Sequence, residues 1–180
     1  MNASFVRSLV VSSLKGNTLA GERVYSPKDW PTRSSDYPVL LVQTPYEEKL
    51  SMGRNAPQFT TTTTIRISGR VETFDGASPD GAVQAEASLE QLREQIDRSV
   101  INSYQLTQSL QQFRAVRSAI EISAAGEGHT GQLIYEIDAE YFQGPEDFFP
   151  VTPNLIDEAA ITVSMPDGSV SPVVVIPLKE

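Results

Sequence analysis

Residues 58–72, QFTTTTTIRISGRVE, alternate in character along their whole length. Phe59, Thr61, Thr63, Ile65, Ile67 and Val71 fall on one side; Thr60, Thr62, Thr64, Arg66, Ser68 and Arg70 fall on the other. A period of two is that of a β-strand, and five consecutive β-branched threonines favour extended backbone. At about 3.3 Å per residue the strand would run to roughly 45 Å, longer than a usual globular strand. One end is therefore expected to project beyond its sheet as a hairpin arm formed with residues 38–57. Such an arm exposes backbone donors and acceptors to another chain. Tyr46, Glu47, Glu48, Lys49, Leu50, Met52 and Arg54 would be its contact residues, with Arg66 and Arg70 on the strand face. Deleting residues 47–56 is then expected to spare folding and damage assembly. The plainer alternative is an ordinary loop.

The rest of the chain supplies partners for this strand. Phe5, Val6, Leu9, Val10 and Leu14 form one stripe of an N-terminal amphipathic helix, stopped by Gly16 and Asn17. Residues 17–36 are polar and contain two prolines, so they read as loop. Residues 37–44, YPVLLVQT, form a strand whose apolar centre implies burial on both faces and a central place in the sheet. Residues 81–102 form the clearest helix, with Val83, Ala85, Leu89, Leu92, Ile96 and Val100 at helical spacing and Glu94–Arg98 as an i,i+4 pair. Residues 103–112 are ambiguous. Residues 114–123 and 132–142 alternate around a glycine-rich turn and make a hairpin, with Val116, Ser118, Ile120 and Ile122 inward. A proline-rich link over 143–157 precedes a final hairpin of 160–165 and 170–178, turning at Pro166-Asp167-Gly168-Ser169. The expected fold is α+β: a mixed or antiparallel sheet of about four strands with two helices packed on one face, plus the arm and the C-terminal hairpin. Residues 1–143 would form the core and 144–180 an extension.

Composition removes much chemistry. The chain has no cysteine and one histidine, so disulfides, thiol catalysis, Cys-ligated zinc and multi-His metal sites are excluded. A net charge of −9 argues against a broad nucleic-acid surface or docking on an anionic membrane. No apolar run approaches a membrane span, and an intracellular compartment is the default location. The most enzyme-like group is Glu127-Gly128-His129-Thr130, but neighbours in a glycine-rich turn usually point apart. Glu86, Glu90 and Glu94 could align as hard-metal ligands and read better as a solvated helix face. Glu146-Asp147 lacks a calcium-loop pattern, Gly16 to Gly21 lacks the P-loop lysine, and no G-x-S-x-G elbow is present. No catalytic residue, cofactor site or metal site is assigned, and the chain reads as a non-enzyme. Phe148-Phe149 in the proline-rich link is a candidate partner-docking pair, since adjacent aromatics either return to the core or cover another surface.

Thr18-Leu19-Ala20-Gly21-Glu22-Arg23-Val24-Tyr25 forms a TLAG-x-RVY run, followed by Asp29-Trp30-Pro31 and a strand from Pro38 ending at Thr44-Pro45. With the Phe59-Thr60-Thr61-Thr62 strand and the Ala/Glu-rich helix, this resembles the tail terminator or tail completion proteins of long-tailed phages and prophages (the lambda-type minor tail protein U group). The resemblance covers about residues 1–143. It implies an α+β domain that forms a hexameric ring on the tail tube, stops growth of the tube protein and offers a surface to head-completion or connector proteins. It implies assembly in the host bacterial cytoplasm and residence in the virion tail. If the acids line the ring's pore, DNA would pass without specific binding, because like charges repel. The alternatives are a head–tail connector (neck) protein, a small peptide-binding adaptor, or an enzyme resting on Glu127 and His129.

Overall fold

The computed structural model describes residues 1–26, 34–54, 57–75, 80–125, 128–149, 158–161, 165 and 174–177. Asp29-Trp30-Pro31, Glu127 and the turn at 166–169 lie outside the described residues. The chain divides into two compact units, Met1–Phe148 and Phe149–Glu180.

The first unit is α+β. Helix α1 (Ala3–Leu14) begins where Asn2 Oδ1 accepts the Phe5 N–H at 2.9 Å, satisfying one of the helix's free donors. It ends at Gly16, whose φ of 71° suits glycine and lets the chain turn away. Strand β1 (Val24–Tyr25) lies parallel to β2 (Val39–Ser51), opposite Leu40 and Leu41. Strand β2 runs antiparallel to β3 (Phe59–Phe74), with an irregularity between Gln43 and Tyr46. Helix α2 (Gly81–Ile101) and a one-turn helix α3 (Tyr104–Thr107) lead into β4 (Gln112–Ala125) and β5 (Gly128–Gln143). The sheet order is β1-β2-β3-β5-β4.

One face of this sheet holds the core. Ile65 and Ile67 of β3, Leu133, Tyr135 and Ile137 of β5, and Leu40 and Val42 of β2 meet Val6, Val10 and Leu14 of α1 and Leu89, Leu92 and Ile96 of α2. Both long helices thus lie on the same face, as expected. The other face carries Arg66, Glu136, Asp138 and Arg117, joined by ion pairs.

Several expectations need correction. There are five strands in this sheet, not about four. The strand spanning 58–72 does not project as an arm. Strand β5 pairs with β3 in register from Phe59↔Gln143 to Phe74↔Gly128, so the sheet is as long as its longest strand. Only residues 52–58 lie beyond the last paired row, Ser51↔Phe59. Phe5 and Val83, placed on core stripes, are 48% and 67% exposed. Val83 sits two residues before buried Ala85, about 200° around the helix. The ion pair on α2 is Glu90–Arg93 at 3.6 Å rather than Glu94–Arg98. Residues 39–42 are all buried, but their strand is second from the edge.

In the second unit, β6 (Glu158–Ile161) pairs antiparallel with β7 (Val174–Pro177), Glu158 opposite Pro177 and Ile161 opposite Val174.

Candidate interaction surface

The irregularity after Gln43 decides where the candidate contact residues point. Beyond it Glu47, Lys49 and Ser51 stand opposite Thr63, Thr61 and Phe59, on the helix-bearing face. Tyr46, Glu48 and Leu50 stand opposite Thr64, Thr62 and Thr60, on the open face. One run of residues therefore serves two purposes.

The helix-side residues are committed internally. Lys49 Nζ lies 2.9 Å from Glu47 Oε1 and donates to Gln143 Oε1. Thr61 Oγ1 donates to the same Gln143 oxygen at 2.8 Å, and Gln143 Nε2 donates to the Met1 carbonyl at 2.6 Å. Tyr141 OH donates to Glu47 Oε2 at 3.2 Å and lies 3.0 Å from Thr63 Oγ1. Thr61 and Thr63 are fully buried and Gln143 is nearly so. This polar cluster continues the core at the Met1 end of α1, and each buried group in it has a partner. The Met1 amino group pairs with Asp147, and Phe148 packs edge-on against Phe59 with ring centroids 5.5 Å apart. Burial pushes the Glu47 carboxyl up, but the Lys49 ammonium and the Tyr141 and Thr63 hydroxyls outweigh it, so the net shift is downward. Burial and the Glu47 charge push the Tyr141 phenol up to about 12.

The open face is where a partner could sit. Leu50 and Phe142 flank Thr60 in one cross-strand row, and Tyr46 lies two rows along. Tyr46, Leu50 and Phe142 are 60%, 54% and 41% exposed, and Met52 beyond the strand is 61% exposed. Glu48, in a 3.8 Å ion pair with Arg114, and Glu140, bonded to Gln112, form with Thr62 the row that lies between Leu50–Phe142 and Tyr46. Phe142 escaped the sequence reading. Its signal was present, since it falls out of phase with Leu133, Tyr135, Ile137 and Tyr141. Arg54 is exposed. Arg66 is held by Glu136 at 2.8 Å, and Arg70 lies at the far end of the same face, lining a shallow pocket with Glu121 and Gln132. Phe148 and Phe149 part company: Phe148 packs on Phe59 in the first unit, while Phe149 opens the second unit and is 63% exposed.

The acid–base candidate is rearranged. His129 lies in β5 opposite Thr73, not in a free turn, and its Nε2 is 3.1 Å from Asp75 Oδ1. The same oxygen accepts the Gly81 N–H at 3.0 Å at the start of α2. The Gly81 N–H and then His129 hold the Asp75 carboxyl below its ordinary value. The pair thus anchors a helix end to the start of β5. Among the described residues, a cavity of about 570 Å³ between Leu19, Pro38, Phe74 and Ser88 has one carboxylate, Glu72, on its wall. Among the described residues, no three Asp, Glu or His side chains gather as a metal site, and no helix is long and apolar enough to cross a membrane.

No protein-family model matches this chain, and no curated protein matches it in sequence.

Proposed function

We propose that the chain is a structural protein of a phage tail. It forms a ring, hexameric by the family resemblance, at the head-proximal end of the tail tube, ends polymerisation of the tube protein and presents a surface to head-completion proteins. The observation that carries this reading is the TLAG-x-RVY run followed by a strand bearing Thr44-Pro45, which the structure extends past them to Ser51. In support, Thr18, Ala20 and Val24 of that run are buried where α1 turns back to the sheet. The run therefore specifies how helix meets sheet, which is what a shared fold would keep. The exposed Tyr46, Leu50, Met52 and Phe142 side chains, interrupted by the Glu48–Thr62–Glu140 row, offer a mixed apolar and acidic docking surface.

The test is addition of the purified protein to growing tail tubes, viewed by negative-stain electron microscopy. Tubes capped by a ring at one end, and no longer elongating, support the reading. Leu50→Asp is expected to abolish capping while leaving the melting temperature unchanged. Tubes that elongate normally in excess protein overturn it, and labelled protein found in the neck of whole particles favours the connector reading instead.

A further inference from the structure

Strand β4 is one edge of the sheet: β5 covers one side of it, and no described strand lies along the other. Sheet edges are normally guarded by proline, lysine or a bulge. Here the one irregularity falls between Phe113 and Ala115, and the ten residues that follow, VRSAIEISAA, contain neither proline nor lysine. On the helix side Val116 and Ile122 stay 41% and 37% exposed, although their neighbours Ile137 and Gly131 on β5 are buried. The sequence reading counted both as inward. They face the right way, but the strand extends past the cover of the helices.

The order of side chains on this edge selects the partner. We propose that β4 pairs antiparallel with β4 of a second copy of this chain, about a two-fold axis through Ala119. Opposed residues in an antiparallel pair share a face, so a two-fold register must be centred on a residue, not between two. Centred on Ala119, Arg117 of each copy stands opposite Glu121 of the other on the open face. Val116 then stands opposite Ile122, and Ser118 opposite Ile120, on the helix face. Centring on Ser118 sets Ile122 against Arg114 and Glu121 against Ala115. Centring on Ile120 sets Arg117 against Ser123 and Glu121 against Ala119. Only the Ala119 register of these three matches both the charges and the apolar rows. Glu121 makes no ion pair within its own chain among the described residues, and Arg117 is 55% exposed while it holds Asp138 at 3.0 Å. The two five-stranded sheets become one continuous sheet, and neither β4 edge remains open. Such a contact closes after two copies. It is therefore distinct from any ring contact and does not depend on the tail reading.

Sedimentation equilibrium of the full chain tests this. The expected mass is twice the 19.7 kDa of one chain at tens of micromolar concentration. Glu121→Arg places like charges opposite each other at both ends of the contact and is expected to weaken the dimer about tenfold or more. The double variant Arg117→Glu/Glu121→Arg restores it. Because Arg117 also holds Asp138, a variant that keeps it intact checks the register. Ala119→Cys, the sole cysteine in its chain, should oxidise to a covalent dimer far faster than Ala87→Cys on the exposed face of α2. A monomer at all concentrations, or an oligomer unchanged by Glu121→Arg, overturns the proposal. So does equal cross-linking of the two cysteine variants.

Discussion

Lys49→Met separates the two purposes of the 46–51 segment. Methionine keeps an unbranched stem against the Phe148 ring, from which the ammonium lies 5.5 Å. It removes the donor shared by Glu47 Oε1 and Gln143 Oε1. The ion pair itself contributes little, because both side chains are about one-third exposed. The larger cost is at Gln143, which is 4% exposed and left with the Thr61 hydroxyl alone on its carbonyl oxygen. Losing this charge-assisted bond at a buried carbonyl that keeps its Thr61 donor costs about 1–3 kcal/mol, or roughly 2–12 °C of melting temperature in a chain of this size. The loss should also depend on pH. Once Glu47 is protonated it no longer rewards the cation, so the small ion-pair share of the gap between wild type and variant should vanish as pH falls through Glu47's lowered value, below 4.5, while the larger Gln143 share persists. Thermal unfolding followed by circular dichroism at pH 7 and pH 3.5 measures both effects. A Lys49→Met protein that melts within 1 °C of wild type at pH 7 refutes the account of this cluster.

Leu92→Ala empties a fully buried position of α2 and should cost about 2–5 kcal/mol in urea unfolding; a loss below 1 kcal/mol would mean that α2 is not docked on the sheet. The folded-state pKa of Glu47, Asp75 and Asp147 is lowered, so their stabilisation is present above the ordinary carboxyl range and is lost as pH falls through the lowered folded-state values. Tyr141 is raised, so its contribution holds below its ordinary value of 10.0 and is lost as pH rises towards about 12. A pH series of melting temperatures should therefore fall on both flanks, and Tyr141→Phe should flatten the alkaline one.

Deletion of residues 47–56, expected from sequence to be harmless to folding, would remove the paired rows from Glu47↔Thr63 to Ser51↔Phe59 and with them the Lys49 cluster. That reversal shows where local pattern stops being informative. Alternation in 58–72 identified the strand, its two faces and its unusual length, because side chains alternate by geometry in any extended chain. Helical spacing placed α2 and its buried Leu89, Leu92 and Ile96 for the same reason. The asparagine at position 2 turned out to be a helix cap, a role set by its place one residue before the helix.

Length alone could not say whether a long strand projects or is matched. Strand β5 answers that, 82 residues away at the Thr61–Gln143 bond. The direction of Glu47 and Lys49 was equally hidden, since an irregularity of one residue after Gln43 resets which face each following side chain takes. Nor could alternation in β4 distinguish a covered strand from an open edge, because the period of two is the same in both. By itself the sequence determined the elements, their faces and the absence of thiol and multi-histidine chemistry. Which faces are covered, and which edges stay open to another chain, was decided only by tertiary pairing, because it depends on strands and helices far apart in the chain.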